Sequence, residues 1–304
     1  MHALMQGNVL MGLLAAFFWG GGDFSGGMGA KRAGGSVRDA LRIILLSHAA
    51  SFTVLFTAAI LRGDHFPHGA PLYWGLAAGV TGGLSLTCFY IALARGAMGA
   101  SAAVSGLLAA AIPAVVSIVA EGSPGASRLL GFLVAGVAIW MVAAAPTGVL
   151  EGPQAAPAAS TMILAIVAGA GFGVYFVALK LAGAAGIVWP MATARMGSIT
   201  ACSVLLLLLS RGATAGGPAS RGAFVKLPRS AVAWALSTAL LDTSGNLLFI
   251  CATRAGRLDV ASVLASLYPA TTILLAGWVL KEHFSRRQAI GMAIAAVAVV
   301  MITL

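Results

Sequence analysis

Apolar residues in this chain come in long unbroken runs, with no strand-like alternation. From Val260 to Leu280 no charge interrupts the run, and Lys281-Glu282-His283 closes it. About twenty apolar residues in helical conformation cross a hydrocarbon core of roughly 30 Å. Breaking the runs at charges, prolines and glycine clusters predicts about ten spans. Five fall at 8–30, 37–61, 72–94, 98–120 and 128–146, and five more at 161–181, 187–210, 230–253, 258–280 and 287–304. Pro146 to Ala159, rich in proline and alanine, joins two halves, 1–148 and 149–304. The other loops are short, except Arg211 to Ser230. The expected fold class is an all-α polytopic membrane protein.

The pattern occurs twice, and a repeat of this length decides the architecture. Arg95 precedes an apolar run with Pro113 in its middle and Glu121 at its end; Arg254 precedes the run that contains Pro269 and ends at Glu282. Trp19-Gly20 and Phe172-Gly173 stand about 153 residues apart, as do Ala40-Leu41-Arg42 and Thr193-Ala194-Arg195. The two prolines are about 156 apart and the two arginines about 159. A slowly drifting offset is what a duplicated unit with small insertions produces. Five spans per unit is odd, so the second copy enters the membrane from the opposite side.

Loop charge tests this inversion. The loop after the first span carries Lys31, Arg32 and Arg38, whereas its counterpart in the second copy has Lys180 alone. Arg62 stands against Arg211, Arg221, Lys226 and Arg229, and Arg128 against Lys281, Arg286 and Arg287. Each pair is lopsided, as inverted copies under the positive-inside rule should be. The same rule puts the basic loops in the cytoplasm and both termini outside.

Composition narrows the class. At 60% hydrophobic and 9% charged residues, the chain lies far from the roughly 25% charged content of soluble domains. Its net charge of +10 is spread singly and in pairs over short loops, so it reads as an orientation signal and no nucleic-acid partner is expected. The first span lacks a basic leader and a cleavage context, which makes it a retained helix. Cys88, Cys202 and Cys251 lie in apolar runs at no ligand spacing and read as core residues, with neither metal nor cofactor indicated. The 39 glycines cluster inside spans, at Gly20 to Gly22, Gly26-Gly27, Gly79, Gly82-Gly83, Gly169, Gly171 and Gly173. Small residues there let helices approach closely in lipid, or else mark hinges around a site.

Several stretches carry a resemblance. WGGGDFSGG at Trp19, ALR at Ala40, YIALARG at Tyr90 and VASVLASLYP with KEHFSRRQAIG at Val260 to Gly291 are similar to EamA-type members of the drug/metabolite transporter superfamily. The resemblance covers both copies, and the final block is its most specific part. It implies a ten-helix carrier from the bacterial metabolite exporters, amino-acid exporters among them, in the inner (plasma) membrane. Two departures stand out. Asp23 follows the glycine triplet where many members have an uncharged residue, and the first copy ends in AEGSPG in place of a fuller Gly-Glu-Arg block.

Polar groups inside spans are the informative ones, because hydrocarbon penalises them unless they face protein or water. Asp242 and Asn246 share a face of the eighth span, with Ser244 between them; Asp242 is a structural carboxylate or a cavity residue that meets substrate or a proton. Trp19 and Asp23 share a face of the first span. Trp19 either packs or stacks on a ligand; Asp23 either pairs with Lys31 or Arg32 or reaches substrate. Arg42 and Arg195 hold equivalent places, where they snorkel to headgroups or serve a gate. His48 is a packing histidine or a proton relay. Tyr90, Tyr175 and Tyr268 supply hydroxyls within apolar surroundings, as a metabolite cavity requires. Pro113 and Pro269 predict two interrupted helices in corresponding places, the best sequence pointer to a midplane site. Glu121 and Glu282 read as structural charges at the membrane surface.

The function expected is secondary transport, with export of amino acids or similar amphipathic metabolites implied by the resemblance. Uptake, or carriage of other metabolites or drugs, is the alternative within the class; a channel or receptor stands outside it. There is no ATP-binding signature. An intramembrane enzyme lacks its motifs: Ser105-Gly106 follows Ala103-Val104, where a rhomboid-type serine protease needs Gly-x-Ser-Gly. No Tyr-Asp pair accompanies Gly22-Asp23, and no His-Glu-x-x-His occurs. The partners expected are a small-molecule substrate and the lipid bilayer, and a monomer is compatible with the sequence.

Overall fold

The computed structural model describes residues 2–95, 98–143, 158–213, 226–280 and 285–303. All regular structure among them is helical: α1 (His2–Ala33), α2 (Val37–Leu61), α3 (Ala70–Ala94), α4 (Met98–Glu121), α5 (Ala126–Ala143), α6 (Ala158–Ala182), α7 (Val188–Ala213), α8 (Arg229–Ala255), α9 (Leu258–Ala265), α10 (Tyr268–Leu280) and α11 (Arg286–Thr303). Eight helical stretches are long and apolar enough to cross a membrane, α9 and α10 together making one of them. The chain is an all-α polytopic membrane protein. Lys281-Glu282-His283 and most of the Pro146–Ala159 joint lie outside the described residues; Ala158 and Ala159 already belong to α6.

Helix ends follow local chemistry. Between α1 and α2 the chain turns on Gly34 and Gly35, both at positive φ, a conformation that costs glycine little. Ser36 then caps α2 in a reciprocal box with Asp39, satisfying two orphan backbone donors at once. Pro71 sits in the first turn of α3, where no helical donor is needed.

The two prolines behave differently. α4 runs unbroken through Pro113, whereas the ninth crossing is divided at Ser266 and Leu267, with Tyr268 and Pro269 opening α10. Two matching interruptions were expected and one is found, lying just before its proline. An unbroken Pro113 is physically reasonable, because neighbouring helices in a bundle compensate the freed carbonyl.

Helix pairing relates the halves. Under the expected repeat, α6 would correspond to α1, α7 to α2, α8 to α3, α9 with α10 to α4, and α11 to α5. Exchanging these partners turns the α1–α8 contact into α6–α3, and α4–α6 into the contacts of α9 and α10 with α1; all of these are present. The α2–α7 and α5–α11 contacts map onto themselves and are extensive. This is the pairing a two-fold relation between halves demands.

One seam breaks the relation. α3 lies tightly on α7 through Gly75, Gly79 and Gly83: a methyl group at Gly79 would come within 1.9 Å of the Ala194 carbonyl oxygen, and one at Gly83 within 2.3 Å of Ser198 Oγ. These glycines are packing positions, and α3 runs unbroken past them. At the equivalent places, about 159 residues on, α8 carries Trp234, Thr238 and Asp242. The α2–α8 seam is accordingly looser, and the polar groups of the interior gather along it.

Candidate functional site

Arg195 stands about two turns into α7 and is only 3% exposed. It does not snorkel, which corrects one of its two expected roles: α3 and α2 close over that face of α7 and leave no path to the headgroups. Its Nε donates to Ser51 Oγ on α2 at 3.0 Å. One terminal nitrogen donates to His48 Nε2 at 2.8 Å, and the other to Asp242 and to Thr243 Oγ1 on α8. Four of the five guanidinium donors are thereby used, and arginine has no acceptor to offer.

That fact fixes the state of His48. Its Nε2 has to accept from Arg195, so the ring proton of the neutral imidazole belongs on Nδ1, which meets Ser198 Oγ at 2.7 Å. Ser51 and Thr243 also share a hydrogen bond, 2.6 Å between hydroxyls. The chain of contacts continues along α8, where Asn246 Nδ2 donates to the Asp242 carbonyl oxygen at 2.7 Å. Tyr175 on α6 donates its hydroxyl to Asn246 Oδ1 at 2.5 Å. One network thus joins α2 of the first half to α6, α7 and α8 of the second.

The network edges a cavity of about 520 Å³ of atom-free space, part of it open to the outside. Trp19 lines it from α1, its ring stacked on Phe176 with centroids 4.8 Å apart and planes 5° from parallel. Phe249 completes a three-ring wall, 5.4 Å from Trp19 and 4.8 Å from Phe176. Gly245 makes room for it, because a methyl group there would lie 2.6 Å from the Trp19 ring. Tyr175 lies over Gly82 of α3. Tyr268 reaches the cavity from the break between α9 and α10, its hydroxyl 2.8 Å from Ser105 Oγ on α4.

Asp23, one turn past Trp19, also lines the cavity and is 8% exposed. Its expected partners Lys31 and Arg32 lie exposed at the end of α1, about 12 Å along the axis. The expected pairing is therefore absent. Among the described residues Asp23 has no hydrogen-bond or ion-pair partner.

Of the residues singled out from sequence, Trp19, Asp23, His48, Tyr175, Arg195, Asp242, Asn246 and Tyr268 meet around this cavity. Four lie elsewhere. Tyr90 is buried against Gly26 of α1. Ser244 turns away and bonds its hydroxyl to the Leu240 carbonyl of its own helix. Arg42 stays near the end of α2, 3.6 Å from Asp39. Pro113 lies within the unbroken α4. Sequence reasoning passed over Ser51, Ser198, Thr243 and Phe176. Phe176 carried a signal, one turn beyond Phe172 on the same face; the hydroxyls carried none, since serine and threonine are common in membrane helices.

A second cluster closes one end of the bundle. Arg257 grips Asp259 with both Nε and a terminal nitrogen and also donates to the Glu121 and Gly122 carbonyls. Lys180 pairs with the Glu121 carboxylate, in keeping with a structural charge there. Arg254 bonds to the Gly183 carbonyl, and Asn8 donates to the Arg257 carbonyl at 3.2 Å. Asp259, fully buried, was not anticipated; its signal was an acidic residue two positions past an arginine at the mouth of a span.

Fold and cavity define a helical membrane protein with a polar site among its helices. Residues 159–304 match the EamA-like transporter family, so the second half carries an EamA-like domain and the class is that of a membrane transporter. No protein of curated function matches the chain in sequence. A solved crystal structure 16% identical to it superposes with a TM-score of 0.73 over 98% of each chain, a likeness of fold alone.

Proposed function

We propose that this protein is a secondary transporter in the inner (plasma) membrane, moving small metabolites by alternating access to the cavity between two inverted repeats, 1–148 and 149–304. The observation that carries the reading is the network of Arg195, His48, Asp242, Asn246 and Tyr175, buried inside an apolar bundle and drawn from both halves. Polar groups are retained at that depth where they bind, gate or couple. Its aromatic wall and sparse convergent polar groups suit an amphipathic metabolite. Amino acids and related compounds are the substrate class, and export is the direction, both following the EamA resemblance. The basic helix ends Lys31, Arg32, Arg38, Arg211, Arg229, Arg286 and Arg287 support a cytoplasmic location for their face under the positive-inside rule, with both termini on the other side.

Counterflow in proteoliposomes tests the reading without a driving gradient. Vesicles loaded with one unlabelled amino acid at a time are expected to draw in labelled substrate saturably for a subset of the panel. Flux that never saturates, or entry that ignores the internal load, would instead mark a channel.

A further inference from the structure

We infer that the cavity recognises the cationic head of its substrate, with Asp23 as the counter-ion and the aromatic wall as the seat for the rest of the molecule. The inference rests on the transporter reading and moves its substrate class from amino acids to the related organic ammonium compounds carrying an apolar or aromatic body.

The argument is a tally of charge and of free donors. Three ionisable groups of fixed sign face the cavity: Arg195, Asp242 and Asp23. Arg195 and Asp242 form an ion pair and cancel. Arg195 has spent four of its five donors on Ser51, His48, Asp242 and Thr243, so it has no paired fork left for a substrate carboxylate, the geometry for which arginine is otherwise suited. Asp23 remains, 92% buried (100 − 8% exposed), aimed into the cavity and unpartnered among the described residues. An ionised carboxylate held so deep without a partner costs several kcal/mol, so Asp23 is charged when a cation in the cavity pairs with it and protonated otherwise.

The surroundings of Asp23 favour an ammonium over an inorganic cation. A small hard cation wants several oxygen ligands, whereas the rings of Trp19, Phe172, Tyr175, Phe176 and Tyr268 make up much of the lining. Trp19 lies one turn before Asp23 on the same face of α1, and Tyr268 faces it from the helix break. Aromatic faces within about 6 Å attract an ammonium by their quadrupole, while the apolar body would pack along Phe172, Phe176 and Leu86. An amino-acid zwitterion fits this arrangement less well than the matching amine, since its carboxylate would meet Asp242 and Asp23 with no free guanidinium to answer it.

The test uses three probes with one aromatic body and different charge: 2-phenylethylammonium, phenylalanine and 3-phenylpropionate. Binding to the purified full chain in nanodiscs is read by calorimetry, and transport by counterflow. The cation should bind about tenfold or more tightly than the zwitterion, and the anion not measurably. Asp23→Asn should erase the preference, and Asp23→Glu should retain it. Equal or tighter binding of phenylalanine by the wild type overturns the inference, as does a preference that survives in Asp23→Asn or the absence of cation binding at millimolar concentration. The wild-type comparison holds even if the Asn variant misfolds. Saturable counterflow of phenylalanine, indifferent to Asp23, sinks the cation site and leaves the transporter standing. Cation binding sensitive to Asp23 without counterflow of any probe does the reverse.

Discussion

His48 Nε2 accepts a hydrogen bond from the Arg195 guanidinium at 2.8 Å, a contact that exists only while the imidazole is neutral. Protonation would turn the acceptor into a donor and set two cations face to face, with Asp242 and Asp23 as the carboxylates within the cavity to respond. Sign follows: the neutral ring holds the network together, so acid strong enough to protonate it should loosen the contact, and transport is expected to change there. His48→Gln should flatten the profile while keeping transport, because the amide can accept from Arg195 and donate to Ser198. An unchanged pH profile in that variant would remove His48 from the role.

Arg195 and Asp242 should be strongly non-additive. Removing one partner of a buried pair leaves an unpaired charge and costs about 3–5 kcal/mol, whereas replacing both with apolar residues is often close to neutral. Thermal unfolding in detergent should show a large loss of Tm for Arg195→Met and for Asp242→Leu. The double variant is expected to recover much of it, though transport should be lost in all three. Additive losses would mean that the pair contributes little to the folded state.

Two glycines separate packing from tolerance. In Gly79→Ala the new methyl would lie 1.9 Å from the Ala194 carbonyl oxygen and 2.7 Å from the Ser198 nitrogen, both backbone atoms that cannot rotate away. At Gly183 the nearest atom to an added methyl is Ile250 Cγ2, at an ordinary 3.5 Å. Gly79→Ala should therefore cost more than the about 1–3 kcal/mol typical of overpacking and reduce the yield of folded protein. Gly183→Ala should fold normally. Comparable yields of monodisperse protein would show that α3 and α7 can separate without penalty.

Much of this was legible in sequence, for identifiable reasons. Helix positions follow from apolar run length, which the bilayer fixes within narrow limits; the prediction for α2, 37–61, coincides with the helix. Trp19 with Asp23, and Asp242 with Asn246, were readable because residues four apart share a helix face. What periodicity could not give was azimuth. Ser244 lies between Asp242 and Asn246 in sequence yet points the other way, and Tyr90 is buried against Gly26 while Tyr175 and Tyr268 line the cavity. Nor could spacing tell Arg42 from Arg195. The two hold equivalent places, but α3 packs on α7 through glycines where α8 meets α2 through larger side chains. That difference buries one arginine and leaves the other near its helix end.

The cluster around Arg257 yields the last prediction. It ties Glu121, Gly122, Asp259 and, through its backbone, Asn8 to one end of the bundle, with Ile250 fully buried beside Gly183. If this end closes the cavity by these contacts, cutting them should admit water there. In Arg257→Ala the fully buried Asp259 loses its partner, a loss of about 3–5 kcal/mol for an interior charge; the cheapest relief is for α9 to move its N-terminus toward solvent. A cysteine replacing Ile250, in a chain whose Cys88, Cys202 and Cys251 have been changed to serine, should then react with a membrane-impermeant maleimide about tenfold faster or more, about 1.4 kcal/mol in the opening equilibrium. Arg257→Ala with Asp259→Asn should fall between the two, because the amide no longer drives the opening while the grip on Glu121 and Gly122 is still missing. Equal labelling in all three backgrounds would mean that the cluster braces the helix ends and that closure of the cavity lies deeper, at the stack of Trp19 on Phe176.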